Sequence, residues 1–167
     1  RSILRHDPDK IMVGEIRDEE TAQIAIQSAL TGHLVFTTVH ANNVFDVMGR
    51  FVHMGVDTYS FVAALSGVMA QRLVRIVCEQ CADVYTPSRR LLEESQLSIS
   101  DLAGVQFRIG RGCRHCRGTG YHGRRAIFEW MDTSNEIRRM ILKNCSSGEI
   151  REVARRHGMR GLADDGW

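Results

Sequence analysis

The chain has 167 residues, 43% of them hydrophobic, enough apolar material to close a core and a length that suits one domain or pieces of two. Its 22 basic and 20 acidic residues leave a net charge of only +2, which argues against both a positively charged cloak for nucleic acid and an acidic tail. No run approaches the roughly 18 consecutive apolar residues of a membrane span, and the opening Arg1-Ser-Ile-Leu-Arg-His6 is neither a signal peptide nor an initiator start, so the chain reads as trimmed from a longer one.

Lys10-Ile-Met-Val-Gly-Glu15 is a short apolar run entered from Asp7-Pro8-Asp9 and left at a charged cluster, which predicts a buried parallel strand. Asp18 offers an N-cap to a helix whose inner face carries Ile24, Ala25 and Leu30 and which stops at Gly32. Leu34-Val-Phe-Thr-Thr-Val39 predicts a second buried strand. It ends at His40-Ala-Asn-Asn43, after which Val44, Met48, Phe51 and Val52 recur at helical spacing. Strand, helix, strand, helix is the order of an open α/β sheet.

From Thr58 to Arg75 the spacing predicts a longer helix, with Phe61, Val62, Leu65, Val68, Met69 and Leu73 on its apolar face and Gln71, Arg72 and Arg75 toward its C-terminal end. Residues 76–127 hold two cysteine pairs and glycines at 110, 112, 118, 120 and 123, the composition of a loop-built module. Regular structure returns with Arg125-Ala-Ile-Phe-Glu-Trp-Met131 as a strand. Two helices follow, with capping-box candidates at Thr133-x-x-Glu136 and Ser146-x-x-Glu149, the second helix ending near Gly158. The chain thus divides into 1–75, 76–127 and 128–167.

The cysteines carry the clearest chemical signal. Cys78-x-x-Cys81 and Cys113-x-x-Cys116, with 31 residues between the pairs, can give four thiolates to one tetrahedral zinc ion in a closed structural site. The same spacing admits two local disulfides, a redox dithiol or unliganded buried thiols. Cys145 lies outside the pattern and reads as a small core residue. An intracellular metal knuckle points to a reducing, cytosolic compartment.

Glu15 is a polar residue at the end of an apolar strand, where open α/β sheets place their active sites. A carboxylate there can polarise an attacking water or support the magnesium shell of a nucleoside triphosphate; position alone equally fits the start of a solvated loop. His33 and His40 bracket the second strand, and they read either as contacts to a terminal phosphate or as satisfied histidines at strand ends. The lysines are Lys10 before Ile11 and Lys143 before Asn144, so the sequence holds no Gly-x-x-x-x-Gly-Lys-Ser/Thr loop to cradle a triphosphate.

A series of motifs in fixed order is more specific than any of these. Leu4-Arg-His-Asp-Pro-Asp9, Ile11-Met-Val-Gly-Glu-Ile-Arg-Asp18, Glu20-Thr-Ala-Gln23, Thr31-Gly-His-Leu-Val35, Thr38-Val-His-Ala-Asn42, Met54-Gly-Val56 and Gln71-Arg-Leu-Val74 resemble the secretion superfamily ATPases over nearly the whole chain. The two cysteine pairs make it similar to the type II secretion ATPase and the type IV pilus extension ATPase within that superfamily. The resemblance implies the C-terminal part of a RecA-like P-loop NTPase domain, with an inserted four-cysteine zinc subdomain and C-terminal helices. It further implies a homohexamer that hydrolyses ATP with Mg2+, powers protein secretion or pilus and pseudopilus assembly, and acts on an inner-membrane platform protein and associated components. The location it implies is cytoplasmic and peripheral to the inner membrane, without nucleic acid as a partner.

Residue by residue, Glu15 matches the Walker B glutamate, Gly14 stands where most P-loop ATPases have the magnesium-side aspartate, and His33 and His40 match the His box. The resemblance also gives Arg17 a relay to a neighbouring subunit and makes Cys78, Cys81, Cys113 and Cys116 the zinc ligands. It leaves this piece inactive by itself, with the phosphate loop upstream. The basic stretch Arg108 to Arg125, with six arginines and no acid, reads as a contact to the platform protein or acidic lipid, or as a solvated face. A competing reading is a zinc-knuckle interaction module without catalysis: Cys113-Arg-His-Cys116-Arg-Gly118-Thr-Gly120 resembles one repeat of the zinc region of heat-shock chaperones, and the arginines suit a nucleic-acid-binding zinc ribbon.

Overall fold

The computed structural model describes residues 6, 8–95, 102 and 104–166. The motif Leu4–Asp9 lies partly outside the described residues. Two compact units emerge: residues up to Arg72 together with those from Phe128 onward, and Leu73–Ile127.

The first unit begins with β1 (Lys10–Val13), α1 (Glu19–Leu30) and β2 (Leu34–Thr37), a right-order strand–helix–strand unit whose strands pair in parallel with Ile11 opposite Val35 and Val13 opposite Thr37. Asp18 caps α1 by accepting from Thr21 N at 2.9 Å. The chain turns out of the helix at Gly32, whose φ of +102° lies in the region that glycine alone enters freely. α2 (Asp46–His53) and α3 (Thr58–Ala64) follow, and α5 (Asn135–Leu142), α6 (Ser147–Arg156) and the short α7 (Leu162–Gly166) close the unit. Ala22, Ala25 and Ile26 of α1 share one core with Val44, Phe51, Phe61, Val62, Met131, Ile137, Ile141, Ile150 and Val153. Phe51 and Phe61 stack within it with ring centroids 4.3 Å apart.

Several expectations need correction. The predicted helix Thr58–Arg75 is two elements: α3 stops at Ala64, and Gly67–Val77 is β3, paired with β6 (Tyr121–Asp132). Leu65 already has an extended ψ of 121°, and the stretch beyond Gly67 is rich in Val and Ile, so strand propensity overrides a helical spacing that the apolar residues only mimic. The helix frame of α5 starts one residue later than predicted. Ser134 is the N-cap, while Thr133 is buried and donates its hydroxyl to Leu65 O at 2.7 Å. The second capping box, Ser146 with Glu149, is present in both directions. Finally, β1 and β2 are not buried on both faces: Met12 and Phe36 are 67% and 52% exposed, and Leu30 of α1 is also open.

The second unit contains the outer parts of β3 and β6, a 3-10 turn at Glu79–Cys81, β4 (Ala82–Val84), α4 (Arg89–Glu94) and β5 (Arg108–Gly110), with β4 and β5 antiparallel. Two glycine pairs set its packing. A Cβ on Gly110 would lie 2.0 Å from Gly120 O, and one on Gly112 would lie 2.6 Å from Gly118 O, so the backbones meet where no side chain fits.

Candidate functional site

The parallel register of β1 and β2 carries on past the strands. Ile16 N donates to Thr38 O at 3.0 Å, and Thr38 Oγ1 donates to Gly14 O at 2.6 Å. These bonds hold the 14–16 turn beside the loop that starts at His40, at the C-terminal edge of both strands. Glu15 is therefore flanked on both oxygens: His40 Nε2 lies 2.9 Å from Oε1 and Arg17 Nη2 lies 2.5 Å from Oε2. The acid is set back, its side chain 23% exposed against 74% for Arg17 and 80% for His40.

Oε1 is shielded from solvent yet accepts no aligned hydrogen bond from the described residues, the His40 approach being close but off-axis. A hydrogen bond from Arg17, then the charges of Arg17 and His40, hold the Glu15 carboxyl below its ordinary value in spite of partial desolvation; the Arg17 guanidinium is raised in return. The result is an ionised carboxylate at the C-terminal edge of two parallel strands, flanked by one guanidinium and one imidazole, a group chemically suited to orient a water or a metal's hydration shell.

The loop carrying His40 has no strand ladder to satisfy it. Arg50 Nε of α2 donates to His40 O at 2.6 Å, Arg72 Nη2 of β3 donates to Asn42 O at 2.5 Å, and Glu129 Oε1 of β6 accepts from Val44 N at 3.0 Å. An open groove of about 810 Å3 runs along this loop and α2, lined in part by His40, Asn42, Asp46, Arg50 and His53.

Among the residues singled out from sequence, Glu15, Arg17, Gly14 and His40 come together here. His33 does not. It sits at the opposite end of β2, with Nδ1 3.0 Å from Ser28 O and 3.3 Å from Thr31 Oγ1, beside the C-terminus of α1. Arg50, Arg72 and Glu129 were not among the candidates. Arg72 stood inside the Gln71-Arg-Leu-Val74 motif without a role, and Glu129 showed as a charge interrupting the apolar Ala126-Ile-Phe-Glu-Trp-Met131 run.

In the second unit Cys78, Cys81, Cys113 and Cys116 converge, all four sulfurs lying within 4.8 Å of one another. The separations of 3.9 Å for Cys78–Cys113 and 3.8 Å for both Cys81–Cys116 and Cys113–Cys116 leave all four as free thiols, which excludes the disulfide alternative. A tetrahedral ion with metal–sulfur bonds of about 2.3 Å has sulfur–sulfur edges of about 3.8 Å, so the donor set fits one ion. Backbone N–H groups of Cys113 and Gly120 point at Cys116 Sγ from 3.1 and 3.3 Å. The Cys113 backbone bond, with that of Gly120, brings the Cys116 thiol down to about 6, whereas desolvation, with the neighbouring sulfurs, pushes Cys81 up to about 12.

A family profile described as "Type II/IV secretion system protein" matches residues 1–167. The chain belongs to that family. Secretion-system family relatives include a type IV pilus assembly ATPase PilB of Thermus thermophilus, 49% identical over 99% of this chain and 19% of the relative. A type II secretion system protein E of Xanthomonas campestris is 43% identical over 99% of this chain and 29% of its own length, and one of Pseudomonas aeruginosa is 40% identical over 99% and 32%. The chain thus spans about a fifth to a third of the curated relatives it matches. The fold is that of the Legionella pneumophila ATPase DotB (24% identity, TM-score 0.61, 99% of this chain and 35% of that one) and of the pilus retraction motor PilT with bound ADP (24%, 0.61, 99% and 36%).

Proposed function

We propose that this chain is the part of a secretion or pilus-assembly ATPase that carries the catalytic glutamate, with Glu15 as the residue that orients the hydrolytic water. The observation that carries the reading is the Glu15 carboxylate, ionised and partly covered, set between Arg17 and His40 at the C-terminal edge of a parallel strand pair. The family assignment displaces the chaperone-like and nucleic-acid-binding alternatives.

Mg2+ and ATP, when bound, supply the phosphoanhydride and the charge neutralisation of its transfer. Glu15 would orient the attacking water or the hydration shell of the metal through its carboxylate. Arg17 keeps the carboxylate ionised and, being exposed, is placed to report its state to a neighbouring subunit. His40, beside the same carboxylate, is the member of the histidine pair placed to face a terminal phosphate; His33 serves at the far end of β2, where it closes α1. Gly14 leaves open space where a Cβ would project, room for a nucleotide's metal side.

The working protein is a homohexamer in the cytoplasm, peripheral to the inner membrane, that transmits force to an inner-membrane platform protein of a type II secretion or type IV pilus machine. Among the described residues no helix is long and apolar enough to cross a membrane. Cys78, Cys81, Cys113 and Cys116 would hold Zn2+ in a structural role, an ion that the four-sulfur donor set suits.

Steady-state turnover tests the assignment. The full-length protein is expected to hydrolyse ATP, the isolated 167-residue chain, which has no phosphate-cradling loop, to give background turnover only, and full-length Glu15→Gln to lose about 100-fold or more in kcat. Turnover by the isolated chain, or an unaffected Glu15→Gln protein, would overturn it.

A further inference from the structure

We propose that Arg72 and Glu129 are positioning residues which set the His40 loop against Glu15, an inference that rests on the nucleotide-site reading above. Residues 40–44 run between β2 and α2 without a ladder of their own, so their polar backbone groups need partners from elsewhere. Two of these come from β3 and β6, neighbours in one sheet. Arg72 is itself fixed by Nη1 donating to Gln71 O at 2.9 Å, and its Nη2 holds Asn42 O at 2.5 Å. Glu129, 8% exposed, accepts from the amide of Val44, which is 0% exposed.

Glu129 is a covered polar side chain in the otherwise apolar Ala126-Ile-Phe-Glu-Trp-Met131 run, a position where an apolar residue would pack without a polar group to satisfy. What the carboxylate provides is a strong, directional acceptor on one backbone amide. Together the two side chains fix the loop at Asn42 and Val44, two and four residues past His40. His40 is itself 80% exposed, so its 2.9 Å approach to Glu15 depends on where the backbone puts it. The sheet supplies the rigidity and the two charged groups transfer it to the loop.

The test uses full-length protein with ATP. Arg72→Met and Glu129→Ala are each expected to lower kcat about tenfold with KM for ATP within about twofold, because the geometry of the acting groups changes and substrate binding does not. Glu129→Gln, which keeps an acceptor for the Val44 amide, is expected to retain activity within about threefold. In a His40→Ala background, Arg72→Met and Glu129→Ala are expected to cost less than about twofold more, since the residue they place is gone.

Equal losses with and without His40, full activity of His40→Ala, or unchanged kcat in the two single variants would overturn the proposal. If Glu129→Ala does not fold, Arg72→Met, a change at an exposed side chain, carries the comparison alone. The two readings fail separately. An active Glu15→Gln protein removes the nucleotide site itself, whereas an inactive Glu15→Gln beside fully active Arg72→Met and Glu129→Ala removes only the positioning role.

Discussion

Glu15 lies between one permanent cation and one titratable base, and its protonation follows from the first. Its carboxyl is held below the ordinary value chiefly by Arg17, so the folded-state ion pair is fully present above the ordinary carboxylate range and is lost as pH falls through the lowered value. Replacing Arg17 by glutamine removes that support. The acid limb of the kcat/KM profile of the full-length protein is then expected to move to higher pH, and an unmoved limb would show that Glu15 is not the group titrating. Glu15 and His40 were legible from sequence because each is polar at the C-terminal end of an apolar β-branched run. The roles of Arg50, Arg72 and Glu129 were not, because they act on main-chain atoms of a loop, and neither the Gln71-Arg-Leu-Val74 motif nor the charge at Glu129 says which backbone groups are held.

At the scale of elements, both parallel strands, the Asp18 and Ser146 caps and the returning strand were legible in the sequence, all of which rest on local chemistry. It misread the stretch after Ala64. The end of α3 is decided by tertiary partners: Arg138 donates to Val62 O at 2.6 Å and Leu65 O at 2.6 Å, and Thr133 donates to Leu65 O at 2.7 Å. Arg138→Met, which frees these carbonyls in a partly buried setting, is expected to destabilise the chain by about 2 kcal/mol in urea unfolding, against under about 0.5 kcal/mol for a loss at exposed Arg139. The apolar faces of β1 and β2 were expected to be covered and are open at Met12 and Phe36, since a periodicity argument says which residues are apolar and nothing about what lies over them. In the cysteine unit, Gly110→Ala forces backbone away from Gly120, whose carbonyl accepts from Cys78 N at 2.9 Å. Metal retention against a chelator is expected to weaken about tenfold or more, as the sulfur geometry is lost.

Over the whole molecule, the unit that carries Glu15 and the unit that carries the four cysteines are built on different principles. The first is a hydrophobic core of helices around Phe51, Phe61 and Met131; the second has short strands, glycine contacts and four sulfurs in place of a large core. Protein purified without chelator is expected to carry about one zinc per chain, and chelation is expected to speed amide exchange within 73–127 while the helices α5 and α6 keep their protection. The cysteine spacing made the second unit legible in advance, whereas the pairing of β3 with β6 was hidden by the apparent helix.

The catalytic assignment of Glu15 is tested most directly by single-turnover hydrolysis of bound ATP in the full-length protein carrying Glu15→Gln. ATP affinity within about twofold of the unaltered protein, with cleavage slowed about 100-fold or more, is the predicted result. Cleavage at the unaltered rate, or a loss confined to binding, would contradict it.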